Sequence, residues 1–314
     1  MLAALHEDCR MARAVFLPLL WFLVCARGAC DPVLVLYPEA PPPYQQAFEQ
    51  IMAGLARAAT GPLQTLALAP EWEPAHVRRW LDDRRDRASA LVLLGQRALH
   101  AYAADWTELP VLVGGVNALP GQTAWPGVSL IVDPEMFVRT LRDLLPAVDT
   151  VVVIHHAQDQ VWLQRVEQAA AGWGLRVAPT AVADPTTAIR QITETFERID
   201  PRTTALWFSR NTLSLNIELI VPFVLEETWN RRIAAFSDTV THTQRGLLFS
   251  LYPDYGGVGE ELGGRLRTAG RAPAADLRYT RAARLALNVR TARRLGLLPG
   301  PELLERAGQL FPLP

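Results

Sequence analysis

The residues with the most chemical potential in this chain gather directly after short runs of Val, Ile and Leu. They are Tyr37-Pro38-Glu39, Gly95-Gln96-Arg97, Asn117, His155-His156-Ala157-Gln158-Asp159, Ser209-Arg210-Asn211-Thr212, Ser237-Asp238-Thr239 and Tyr252. In open parallel sheets, ligands sit beyond the carboxyl ends of strands, where loops enter helices with free N–H groups. Tyr37, Glu39, Gln96, Asn117, His156, Gln158, Ser209, Arg210, Asn211, Asp238 and Tyr252 are therefore the candidate ligand contacts. The set is polar, aromatic and amide-rich. Arg210 suits a carboxylate, and Asp238 or Glu39 suits an amine, which is the pairing a zwitterionic or carboxylate-bearing small molecule needs.

Other chemistries find little support. All 31 basic residues are Arg, so no side chain can form a Schiff base or serve as a lysine base. His155 and His156 are adjacent at a strand end and point to opposite sides, which excludes a joint metal grip and leaves no expected metal or other cofactor. The phrase Gly257-Val258-Gly259-Glu260-Glu261-Leu262-Gly263 has glycine spacing one residue too long for a dinucleotide fingerprint, and a close helix–strand approach accounts for it. There is no G-x-S-x-G turn, H-E-x-x-H helix or phosphate loop, so no catalytic residue is assigned and the chain is not expected to be an enzyme. A net charge of -1 provides no field for nucleic acid.

The elements that must position these residues alternate. Apolar runs at 33–37, 63–68, 91–94, 111–113, 150–154, 175–182, 205–208, 233–236 and 247–251 read as strands covered on both faces. Amphipathic stretches at 44–58, 74–87, 134–145, 158–172 and 185–199 read as helices between them. Asp133-Pro134 and Asp184-Pro185 each place a capping Asp before a first-turn Pro. The Gly- and Pro-rich segment 114–127 reads as a connection between lobes, with a hinge near Ser129 to Val132. With 314 residues, the reading is α/β: two doubly wound parallel-sheet, Rossmann-like lobes joined by a hinge.

The N-terminus reads as an address. Arg10 and Arg13 precede the apolar run Ala14 to Ala26, then come the small residues Gly28 and Ala29, the order of a cleavable secretory signal over residues 1–29, with Met11 as an alternative start. The run is too short to span a hydrocarbon core of ~30 Å comfortably. Cys9 and Cys25 lie in the segment to be removed, so Cys30 has no intrachain partner. Lipidation of Cys30 is disfavoured by Arg27 three residues before it.

The order of segments resembles the substrate-binding proteins of ABC transporters of the tryptophan/tyrosine type, which have a periplasmic-binding type I fold. The resemblance covers nearly all of the mature chain. Its most specific pieces are Pro126-Gly127-Val128, Leu144-Leu145-Pro146, Thr150 to Ile154 and the tail Leu287-Asn288-Val289-Arg290-Thr291-Ala292-Arg293-Arg294-Leu295-Gly296-Leu297. Arg245-Gly246-Leu247-Leu248, Tyr252 and Gly270-Arg271-Ala272-Pro273 are similar in kind. The family's Thr-Asp-Asn-Thr loop corresponds to Ser209-Arg210-Asn211-Thr212, with Arg in place of the acid, so the aromatic amino-acid specificity does not carry over. The resemblance implies a monomeric periplasmic protein that captures a small ligand between lobes for an ABC permease. A ligand-sensing partner of a membrane signalling protein is the alternative, and an enzyme on the same sheets a more distant one. It also implies lobes of residues 31–130 plus 247–275 and 131–246 plus 276–314.

Overall fold

The computed structural model describes residues 30–103, 106, 108–209, 217–268 and 276–312. The first sheet contains β1 (Val33–Pro38), β2 (Leu63–Leu68), β3 (Ala90–Leu94), β4 (Val111–Val116) and β5 (Gly127–Val132). The helices α1 (Tyr44–Ala58), α2 (Pro74–Asp82) and α3 (Gly95–Ala101) alternate with these strands. The chain continues through α4 (Pro134–Leu144), β6 (Thr150–His156), α5 (Gln160–Gly172), β7 (Arg176–Val182), α6 (Pro185–Glu197), β8 (Thr204–Phe208), α7 (Ile217–Arg231), β9 (Ala234–Ser237) and α8 (Val240–Arg245). It ends with β10 (Phe249–Pro253), α9 (Tyr255–Leu266), β11 (Leu277–Thr280), β12 (Ala283–Asn288), α10 (Val289–Arg294), α11 (Pro301–Arg306) and β13 (Ala307–Phe311). No helix among the described residues is long and apolar enough to cross a membrane.

The strand orders are β11-β5-β4-β3-β1-β2 and β13-β12-β10-β9-β8-β6-β7, parallel throughout except for the β10–β12 pair. Continuous apolar runs form the interior strands because both faces are covered, whereas the edge strands β2 and β7, expected to be covered likewise, are largely exposed because each has a neighbour on one side only. Val33 and Val35 face one buried cluster with α1 and α9, while Leu34 and Leu36 face another with α2 and α3. The second sheet divides likewise, Val151 and Val153 on one side and Val152 and Ile154 on the other. Both expected aspartate caps form: Asp133 accepts the Glu135 N–H at 3.2 Å, and Asp184 accepts the Thr187 N–H at 3.0 Å.

The lobe boundaries differ from the expected ones in two places. β10, placed by sequence in the first lobe, pairs in the second sheet, where Phe249 and Leu251 join its core. β11, placed in the second lobe, lies at the edge of the first sheet beside β5. Apolar strands carry no label for their sheet, and only the neighbours they pack against decide it. Residues 114–127 do not link the lobes either. They connect the adjacent parallel strands β4 and β5, and the chain first crosses at Asp133.

Three crossings therefore join the lobes, between β5 and α4, β10 and α9, and β11 and β12, and hydrogen bonds bind them into one bundle. The Asp133 N–H donates to Thr280 O at 2.8 Å, and the Asp254 N–H donates to Ala282 O at 2.9 Å. Glu261 on α9 accepts from the Arg281 and Ala282 N–H groups at 3.0 and 2.8 Å. Asp133, besides capping α4, receives Arg165 of α5 through both carboxylate oxygens at 2.8 and 2.9 Å.

The glycine phrase 257–263 serves a helix–helix approach instead of the expected helix–strand one. It lies in α9, and a Cβ at Gly259 would collide with the backbone carbonyl of Ile51 in α1. Gly54 makes the reciprocal approach to the carbonyl of Gly256. Gly259→Val should force the helices apart and cost roughly 3 kcal/mol, the upper end of the usual range for overpacking because the obstacle is backbone. A urea titration of both proteins measures it, and an unchanged midpoint would contradict this close packing.

Candidate functional site

A cavity of about 320 Å³ opens between the two sheets at the carboxyl ends of their strands, against the first two crossings. Its floor is aromatic. Phe137 of α4, Trp162 of α5 and Trp207 of β8 line it, with ring centroids 4.6 Å apart for Phe137–Trp207 and 5.2 Å for Trp162–Trp207. Trp207 continues to Phe236 at 5.1 Å, and Phe236 stacks on Phe249 at 4.7 Å, so the floor is the upper end of an aromatic column running through the second lobe. Such a column is rigid, since each ring is held by its neighbours. The first lobe contributes Asn117 and Tyr255, and the loop after β9 contributes Asp238, the one charged residue in the described lining.

That loop is anchored from below. Ser237, buried at the end of β9, forms a 2.8 Å hydrogen bond with Nδ1 of buried His242, and Ser237 Oγ also accepts the Thr239 N–H at 3.2 Å. Accepting from Thr239 leaves the Ser237 oxygen a second lone pair, so this bond holds with either Ser237 or Nδ1 as the donor. Burial, assisted by the charge of Arg245, lowers the His242 pKa to about 4, so the ring is neutral at ordinary pH. A Ser–His hydrogen bond is the arrangement of an activated nucleophile, but both partners lie inside the core, where no substrate reaches them. Its work here is to hold Asp238 and Thr239 at the cavity edge.

Of the eleven sequence candidates, Asn117, Asp238 and Tyr252 line this cavity. The Tyr252 hydroxyl lies toward β13, where a Cβ on Gly308 would meet it at 2.7 Å. Tyr37 packs instead against the apolar cluster of the first lobe. Glu39 is exposed and takes part through its backbone, its N–H donating to Leu68 O at 2.9 Å. Gln96 lies on the surface of α3, 2.8 Å from the His100 ring. His156 accepts the Gln158 N–H on Nδ1 at 3.2 Å, which folds the two together outside the cavity. Ser209 is buried, its N–H donating to Ile154 O at 3.2 Å. Arg210 and Asn211 lie outside the described residues.

Sequence reasoning missed Phe137, Trp162, Trp207 and Tyr255, because apolar residues inside regular elements read as core. Two of them carried a positional signal. Trp162 stands in the first turn of the helix after the 155–159 loop, and Tyr255 opens the helix immediately after Tyr252 and Pro253.

No family model matches the chain, and no curated protein matches it. Solved structures do. The ligand-free, open structure of a substrate binding protein with adhesive properties from Clostridium difficile is 13% identical, covering 90% of this chain and 99% of its own, with a TM-score of 0.59. The ABC domain in complex with L-Trp from Streptococcus pneumonia is 18% identical over 90% of this chain and 99% of its own, with a TM-score of 0.48. The trehalose repressor from Escherichia coli is 17% identical over 81% of this chain and 99% of its own, with a TM-score of 0.40. The fold is that of type I periplasmic binding proteins. A fold alone does not assign a role.

The His242 anchor has a pH signature. An unfolded histidine titrates near 6.5, whereas the folded one titrates at about 4, so the folded state binds fewer protons between these values. The contribution is complete above pH 6.5 and is lost as pH falls through 4, about 3 kcal/mol in all. In His242→Asn, which keeps an acceptor for Ser237, stability measured by denaturant titration should fall by about that much less between neutral pH and pH 4. Equal losses in both proteins would show that His242 is not held neutral.

Proposed function

We propose that this protein is an exported solute-binding protein that captures a small amine- and carboxylate-bearing molecule between its lobes and passes it to an ABC-type importer. The cavity between the sheets carries this reading: an aromatic floor from one lobe, Asn117 and Tyr255 from the other, and Asp238 at its edge. A ligand there touches both lobes together only when they are closed, so binding shifts the population toward the closed state. Asp238 is the partner for an ammonium group, and the rings give that cation or an apolar body a favourable face. Arg210 supplies the carboxylate partner in this reading, on the strength of its position in the chain. Phe208 and Ser237 are register partners on β8 and β9, so Arg210 and Asp238 follow neighbouring strands.

The resemblance to tryptophan/tyrosine-type binding proteins supports the amino-acid-like class of ligand, while the Arg at position 210 argues for a specificity of its own. Export rests on the signal-like pattern of residues 1–29. Mass spectrometry of the protein from a bacterial periplasm should find an N-terminus at Ala29 or Cys30, and an intact leader on soluble protein would count against export.

A thermal-shift screen of amino acids, small carboxylates and purines should reveal one class that raises the melting temperature saturably. Tryptophan emission should change over the same concentrations, since Trp162 and Trp207 line the cavity. Asp238→Asn should weaken an amine-bearing ligand about tenfold or more, the scale of a lost charge-assisted hydrogen bond. No shift with any class, from folded protein, would remove the small-solute role.

A further inference from the structure

The second lobe has another cavity, of about 360 Å³, at the end opposite the cleft, where its parallel strands begin. Trp229 at the end of α7, Arg245 at the end of α8 and Arg290 in α10 converge on it. Their elements are locked together by the tail motif that the cleft does not use. Asn288 Nδ2–H donates to Thr243 O at 2.9 Å while its Oδ1 accepts the Thr291 N–H at 2.9 Å, and the Thr291 hydroxyl donates to Gly246 O at 2.8 Å.

Among the described residues, the charges in this place have no counter-ion. Arg290 and Arg294 hold their guanidinium carbons 5.0 and 4.2 Å from the centroid of the same Trp229 ring, and Arg294 Nε–H donates to Trp229 O at 3.1 Å. Among the described residues, Arg245, Arg290 and Arg294 form no ion pair, and Glu226, the one acid lining the cavity, bonds none of them. Nearby arginines do find partners, as Arg231 does with Glu227 at 2.7 Å. Arg294 lines a neighbouring cavity of about 320 Å³ with Arg232 and Arg293, which extends the positive field, while Arg202 there is paired with Asp200 at 3.2 Å. Converging like charges repel, and a multiply charged anion relieves that repulsion at several points at once. Asn230 and Gln244 add neutral amide donors to the same lining, and the volume lies within the small-molecule range.

We propose that this cavity is a second binding site, separate from the cleft, for a small molecule carrying two or more carboxylate or phosphate groups gripped by Arg245 and Arg290. Trp229 holds Arg290 in place by cation–π contact, so that arm of the site is arranged before the anion arrives.

Isothermal titration of the protein with citrate and, separately, with inorganic pyrophosphate tests this, the two arms distinguishing carboxylate from phosphate chemistry. At least one anion should bind saturably, more weakly as salt is added, and with affinity lowered about tenfold or more in R245A/R290A. R290Q, which removes the charge but keeps an amide donor, should weaken binding in the same direction and serves if the double variant does not fold. Asp238→Asn in the cleft should leave this binding unchanged, so the two sites fail independently. Absence of binding by both anions, affinity retained in folded R245A/R290A or in R290Q, or loss of binding in Asp238→Asn would each overturn the proposal.

Discussion

The arrangement of the molecule depends on Asp133. This residue stands where the chain first leaves one sheet for the other, and it meets three demands there. Its side chain caps α4, its two carboxylate oxygens accept from Arg165 through Nε and Nη2, and its N–H donates to Thr280 on another crossing. A bidentate pair at a largely buried carboxylate resists displacement because either partner left alone would remain poorly solvated. The crossings are thereby tied at one end of the interface.

The ligand cavity lies directly against that bundle, and its two walls differ physically. On the second-lobe side the wall is the end of an aromatic column whose rings lock one another from Trp162 through Trp207 and Phe236 to Phe249. On the other side are Asn117 in a loop and Tyr255 at a helix start, carried by a lobe whose helices α1 and α9 approach to backbone contact. Two walls each held by internal packing suit the proposed capture by closure, because bringing them together would require little reordering within either. The Ser237–His242 pair extends the same logic to polar contacts, fixing the loop of Asp238 with hydrogen bonds beneath the surface.

The opposite end of the second lobe uses arginine differently. Near the crossings Arg165 and Arg281 are matched by Asp133 and Glu135, and their charge goes into structure. Around Trp229 the guanidinium groups are placed by an aromatic ring and a carbonyl, neither of which neutralises them. A chain whose only cation is Arg can make both arrangements, since the planar group forks onto carboxylates and also stacks on indole.

Much of the fold was legible in the sequence because it is local. Continuous Val, Ile and Leu runs state that strands are buried on both faces, and Asp-Pro pairs state where helices begin, so β6 and α4 begin at the residues the pattern indicates. Candidate contacts such as Asn117, Asp238 and Tyr252 were legible because ligands in parallel sheets meet the ends of strands. The sheet to which β10 and β11 belong was not, since an apolar strand is acceptable to either core and only packing partners select one. The same holds for Trp207 and Phe137, whose apolar character marks them as interior without distinguishing a core neighbour from a cavity. The sequence by itself determined the elements, their caps and the two-lobed class, all set by interactions within a few residues. Tertiary structure alone decided which strands cross between lobes and which interior rings face the ligand space, because both follow from contacts between residues distant in the chain.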